Sequence, residues 1–229
     1  PQQATQLYEE YCGDMKECPE PPPVYTKEPE QRGERRFTID GQSHPFFIMG
    51  YHTVAQDHTD SKALQLLGSI LSGGRTSVLY KRMVEEEQTA LQVSALNGYP
   101  GQKYETLVAT LAIPNQGVGV DTMETSILEE IEKIKNGEIS QEALDRARTN
   151  ARANLIRSLD SNSGLASALA SAENLRGDWR KVFTDIEKLN EVTVDDIQRV
   201  ANEYLTKDNR TVGAIVNKDN SSDQEVADA

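Results

Sequence analysis

Residues 62–95 read KALQLLGSILSGGRTSVLYKRMVEEEQTALQVSA, and this stretch decides the fold. Ala63, Leu66, Leu67, Ile70 and Leu71 fall on one stripe of a 3.6-residue period, which predicts an amphipathic helix with Asp60 as its cap. Gly73 and Gly74 end that helix, because glycine accepts the left-handed dihedral that a helix stop needs. Thr76 or Ser77 then restarts a second helix, with Leu79 and Met83 four residues apart on its buried side. From Leu91 the period changes to two: Leu91, Val93 and Ala95 alternate with Gln92 and Ser94, as in a half-buried strand.

Upstream, residues 36–39 and 45–52 read as two strands, with Gln42 in the turn between them. The second, FFIMGYH, is a continuous apolar run suited to the centre of a sheet. Downstream, Leu107, Ala109, Leu111 and Ile113 form a fourth strand, paired as a hairpin with the third through the turn residues Asn97-Gly98 and Pro100-Gly101. Helical spacing follows in Met123, Ile127, Ile131 and Ile134, with Asp121 and Glu124 as an acidic capping box and Asn136-Gly137 as the stop. Ser140 caps the next helix. The Ala-, Ser- and Gly-rich residues 163–176 suggest close helix packing, a shorter helix carries Val182, Phe183, Ile186 and Leu189, and Thr193 caps the last. Thr211 to Val216 closes the chain as a strand. This order predicts an α+β fold: a largely antiparallel sheet of about five strands with helices packed on one face.

At the amino end, Leu7 and Tyr11 share one face of a short helix that stops at Gly13, a helix without an evident neighbour. Pro19, Pro21, Pro22, Pro23 and Pro29 then stand among charges, the composition of a semi-rigid linker. The expected organisation is a terminal helix over 1–14, a linker over 15–34, a domain over 35–217 and a polar, disordered tail over 218–229.

The 229 residues carry 24 Lys plus Arg against 37 Asp plus Glu, a net charge of −13, so nucleic acid is not the partner. No apolar run approaches the roughly 20 residues of a membrane-spanning helix, and no signal-peptide layout opens the sequence. Bacterial periplasm and cytoplasm both remain open as compartments. Cys12 and Cys18 flank GDMKE, a spacing that matches no metal site and reads as two free thiols or one small local disulfide.

His52, Asp57, His58 and Asp60 are a tempting metal cluster, but neither H-E-x-x-H nor H-x-x-E-H surrounds any histidine. They read instead as a strand end, a loop and a helix cap. Gly73-Gly74-Arg75-Thr76-Ser77 could offer free amides to an anion, yet it lacks the lysine of a phosphate loop and reads as an interhelical turn. No serine lies in G-x-S-x-G, and Glu85, Glu86 and Glu87 read as a solvated helix end. The residues therefore present no catalytic set and no metal ligands.

Residues 33–53 (GERRFTIDGQSHPFFIMGYHT), 69–95 (SILSGGRTSVLYKRMVEEEQTALQVSA) and 190–216 (NEVTVDDIQRVANEYLTKDNRTVGAIV) together resemble the C-terminal homologous domain of pitrilysin/insulinase-type zinc metallopeptidases. The resemblance covers about residues 25–217. It implies that zinc and hydrolysis belong to an N-terminal domain absent from this sequence, whose last helix is represented by residues 1–14. It implies no cofactor in this chain, zinc in the parent protein, and a role as part of the wall of a closed chamber around an unfolded peptide. A structural or non-catalytic subunit of a larger complex is the alternative, and a small anion-binding module using Arg75 ranks last. Members that position substrate through this domain resemble one another in an Arg at the end of the second helix and a Tyr opening the next strand. Here Val84 and Leu91 occupy those positions, with Gly73, Gly74, Arg75 and Tyr80 forming the preceding turn and helix. The substitution implies a zinc-bearing subunit that joins a second, different peptidase-like subunit supplying the missing pair.

Overall fold

In the computed structural model, residues 2–16, 19, 22, 24 and 28–217 are described, and they fall into two compact units, Pro1–Glu30 and Gln31–Ala229. The first contributes helix α1 (Gln2–Cys12), none of whose residues is buried; Leu7, Tyr8 and Tyr11 all lie exposed. Cys12 is a free thiol, whereas Cys18, much of the proline-rich segment and the tail lie outside the described residues.

The second unit runs β1 (Arg35–Gly41), β2 (Phe46–Thr53), α2 (Ser61–Ser72), α3 (Val78–Tyr80) continuing into a π-helix (Lys81–Glu86), β3 (Ala90–Tyr99) and β4 (Thr106–Pro114). It ends with α4 (Val120–Lys135), α5 (Gln141–Leu159), α6 (Asn162–Arg176), α7 (Lys181–Glu191), α8 (Val194–Tyr204) and β5 (Arg210–Asn217). The five strands lie in the order β1-β5-β2-β4-β3. The sheet is antiparallel except at β1, which pairs in parallel with β5 through Phe37↔Gly213 and Ile39↔Ile215. The α+β reading is correct, and the apolar run of β2 does take the central position.

Alternation sorts the sheet into two faces. Phe47, Met49, Tyr51, Val93, Val108, Ala112 and Val212 join Leu66, Leu67 and Ile70 of α2, Met123 and Ile127 of α4 and Ile197 and Val200 of α8 in one buried core. The opposite face carries Phe46, Ile48, Leu107, Leu111, Ile113 and Ile215, all half-buried, with Phe37, Ile39 and Leu96 exposed. Strands that are apolar on both faces while helices cover one leave an apolar sheet surface accessible.

Several local expectations need correction. Asp60 does stand at the N-cap position of α2, but its side chain bonds no helix amide: the carboxylate accepts from Arg199 Nη2 at 2.6 Å and from the Tyr204 hydroxyl at 2.8 Å, tying α2 to α8 instead. Asp121 and Glu124 form no capping box, because Gly119 is the cap residue of α4 and Glu124 is engaged by Arg36. Gly73 and Gly74 do end α2, Gly73 as its cap residue and Gly74 with the positive φ of +102°. The small residues of α6 are mostly exposed, with only Ala172 and Arg176 buried, so this helix lies on the outer surface rather than packing closely. Ser140 and Thr193 do cap α5 and α8, the latter in a full capping box with Asp196.

Candidate functional site

The stretch from Gly73 to Gln92 builds the junction where the sequence places Val84 and Leu91. α2 stops as the Gly73 amide bonds Ser69 O at 2.7 Å, and the Ser77 hydroxyl closes the turn on Gly74 O at 2.7 Å. Arg75 stands exposed in this turn and makes no hydrogen bond or ion pair among the described residues. The helix that follows is too short to aim a set of amides at an anion: after three α residues it widens into the π-helix, marked by the Glu87 amide bonding Arg82 O at 2.8 Å. Leu79 and Met83 still reach the core as their spacing predicts, and Tyr80 and Val84 are half-buried against it.

Arg82 is wholly committed. It bonds Glu87 at 2.6 Å, Glu130 at 3.1 Å and Glu129, and burial, which lowers its pKa, is outweighed by these carboxylates, which raise it above its ordinary value. Ser126 Oγ also donates to Glu87, joining α4 to the same network. The guanidinium is therefore a tie between the π-helix and α4, each of its three nitrogens being held by a carboxylate. Past it, Gln88 turns the chain at φ +52°, Asn115 Nδ2 holds Gln88 O at 2.9 Å, and the Asn115 amide holds Thr89 O at 2.8 Å.

β3 then begins with an irregularity that overturns the expected alternation. Ala90 pairs with Pro114 and Gln92 with Ile113, leaving Leu91 as the extra residue of a β-bulge. Ala90 and Val93 are buried three residues apart, while Leu91 is 60% exposed. Val84 and Leu91 thus flank one junction, with Leu91 projecting outward and Val84 half-turned inward, whereas Arg75 sits at the far end of the helix and Tyr80 faces the core. Two apolar side chains can pack a substrate here, but they cannot donate to a carbonyl oxygen.

The histidine and aspartate cluster disperses. His58 Nδ1 accepts from the Asp60 amide at 3.2 Å, Asp57 pairs with Lys181 at 2.6 Å, and Asp60 faces α8. Arg199 first and Tyr204 after it hold the Asp60 carboxyl below its usual range against the upward push of burial. Among the described residues no three His, Cys, Asp or Glu side chains converge as a metal site, so these residues do not fit zinc. Sequence reasoning missed a second buried group, in which Asp185 pairs with Lys62 at 3.0 Å and Arg176 at 2.8 Å. Burial lowers the Lys62 pKa more than Asp185 raises it. Only the position of Lys62 within an apolar helical stripe could have signalled it.

A sequence profile described as the peptidase M16 inactive domain matches residues 1–151. The chain is 32% identical over 199 residues to the zinc protease PqqE of Helicobacter pylori (strain ATCC 700392 / 26695), covering 84% of this chain and 42% of that protein. A solved protease from Helicobacter pylori superposes with a TM-score of 0.83 at 27% identity, over 94% of this chain and 52% of that one. The inactive peptidase domain of a Bordetella parapertussis protein gives a TM-score of 0.68 at 25% identity, over 78% of this chain and 95% of that one. The chain therefore spans about half or less of the length of the two Helicobacter relatives. Among the described residues no helix is long and apolar enough to cross a membrane.

Proposed function

The chain belongs to the peptidase M16 inactive-domain family, and on that footing we propose that it forms part of the wall of a peptidase chamber in a zinc-protease subunit. The zinc, the water-activating carboxylate and the hydrolysis reside in a preceding N-terminal domain, to which α1 belongs. The accessible apolar face of the sheet suits an unfolded peptide, which offers apolar side chains and no fixed shape.

One observation carries the finer reading. Where relatives that position substrate through this domain present a guanidinium and a phenol, this chain has Val84 and Leu91, and the neighbouring Arg82 is consumed by three carboxylates. Loss of a donor to a developing oxyanion is worth roughly 2.7–4 kcal/mol, a factor of about 100–1,000 in rate. The parent subunit is accordingly nearly inactive alone and gains activity from a different subunit that supplies the pair across the chamber. The experiment is a peptidase assay of the full-length parent, alone and mixed with a candidate partner subunit. Activity appearing only on mixing supports the reading; full activity of the parent by itself refutes it.

Val84 packing on the core favours one alternative, a scaffold subunit in which it is an ordinary core residue. An H-x-x-E-H motif upstream in the reading frame decides for the enzyme, and its absence for the scaffold.

A further inference from the structure

A cavity of about 240 Å³ opens beside the first turn of α2, between the end of β2 and the β3–β4 loop. Its lining is rich in amides: Gln56, Gln65, Asn97 and Gln102 bring four carboxamides to one space, with Lys62 and Thr106 beside them. None of these four carboxamides forms a hydrogen bond with another described residue. Gln56 Oε1 is buried and lacks any donor. A buried acceptor in that state has given up its bonds to water without replacement, so such groups are normally satisfied.

The backbone around them, by contrast, is fixed. The Gln56 amide bonds Gln102 O at 2.9 Å, and the Thr106 hydroxyl bonds Tyr99 O at 3.0 Å. The walls are held while the four terminal amides are uncommitted, and the end torsion of a Gln or Asn side chain is broad enough to turn either its oxygen or its nitrogen inward. Charge does not decide the ligand here, because the Lys62 ammonium is engaged by Asp185 at 3.0 Å.

We propose that this cavity binds an uncharged carboxamide, the side chain of a Gln or Asn carried by an extended peptide. Carboxamides pair with one another through one donor and one acceptor each, which matches four amide walls better than a carboxylate, an acceptor only, or an ammonium, a donor only. The volume falls short of the roughly 300–1,000 Å³ of drug-sized sites and suits one side chain. Only the naming of a peptide as the source rests on the chamber reading; the pocket chemistry does not.

The test uses the whole chain, labelled with nitrogen-15, and follows the side-chain amide signals of Gln56, Gln65, Asn97 and Gln102 during titration. The probes are N-acetyl-glutamine methylamide and its glutamate and norleucine counterparts, which share one backbone and differ only in the side-chain end. Saturable shifts of these four signals by the glutamine probe are expected, with at least about tenfold weaker binding in Gln65→Leu and Gln56→Leu and none of that loss in Gln116→Leu. Gln56→Leu removes an unsatisfied group and should stay folded, which keeps the comparison usable. Equal shifts from the norleucine probe, tighter binding of the glutamate probe, or no saturable shift with folded protein overturns the proposal. Because no zinc, partner or peptide cleavage enters this measurement, its failure leaves the chamber reading standing, and the failure of that reading leaves the pocket testable.

Discussion

A methyl group on Gly213 would collide with the ring of Phe37, which lies over that glycine where β1 pairs with β5. The backbone of Gly213 is ordinary, so the obstacle to a side chain there is the Phe37 ring. Gly213→Ala should cost about 1–3 kcal/mol in urea unfolding, the usual range for overpacking. Adding Phe37→Leu should recover part of the loss, whereas simple addition of the two costs would show that the ring is not the obstacle. Asp60 makes a second prediction at this scale. Its folded pKa lies below the unfolded value of about 3.9, so the stability it contributes is fully present above that pH. It is lost as pH falls through the depressed folded value. Asp60→Asn should therefore be less stable at pH 7 by about 1.5–3 kcal/mol, and the gap between variant and parent should close below about pH 4 in thermal melts. A gap that stays constant to pH 2.5 would mean that the Arg199 and Tyr204 contacts carry no charge-dependent stability.

Among the strands, β1 is the least secure. No residue of it is buried, and it borders a single strand. Glu34 stands at its start and receives Arg36 and, at 2.6 Å, Arg210 Nε from β5. Burial raises the Glu34 pKa, but the bonds from Arg36 and Arg210 more than reverse this. Glu34→Ala should leave Arg210 buried without its partner and speed amide exchange across residues 36–40 while sparing residues 47–51; unchanged exchange in β1 would show that the parallel ladder suffices. Periodicity made β2, α2 and the β3–β4 hairpin legible, because in each a run of apolar residues matches one face that is truly buried. It could not disclose the bulge at Leu91, where one extra residue breaks the alternation, or the π-helix, because the spacing of Leu79 in α3 and Met83 in the π-helix suits one continuous α-helix equally well. Asp60 was legible as the cap position but not in its side-chain role, because the carboxylate is drawn away from the helix amides by Arg199 and Tyr204, 139 and 144 residues along the chain. The four carboxamides around the α2 cavity are likewise scattered over residues 56–102, and no spacing rule gathers them.

For the whole molecule, the lack of any convergent ligand set among the described residues leads to a plain expectation. Purified alone, the chain should fold without metal, its melting temperature should not move on adding a chelator, and it should cleave no peptide. Near-stoichiometric zinc after dialysis, with cleavage lost on chelation, would contradict this. The position of β5 has a consequence for how the chain comes to be made. Formed from residues 210–217, it sits between β1 and β2 and is the sole neighbour of β1. During synthesis the sheet thus waits on its final strand. Until that strand emerges from the ribosome, β1 has nothing to pair with and the apolar β2 keeps one long edge open, a template for strands of other nascent chains. Any premature stop before Arg210 would leave the middle of the sheet, not its margin, unfinished, so the eight residues of β5 act as the latch that turns a sticky intermediate into a closed domain.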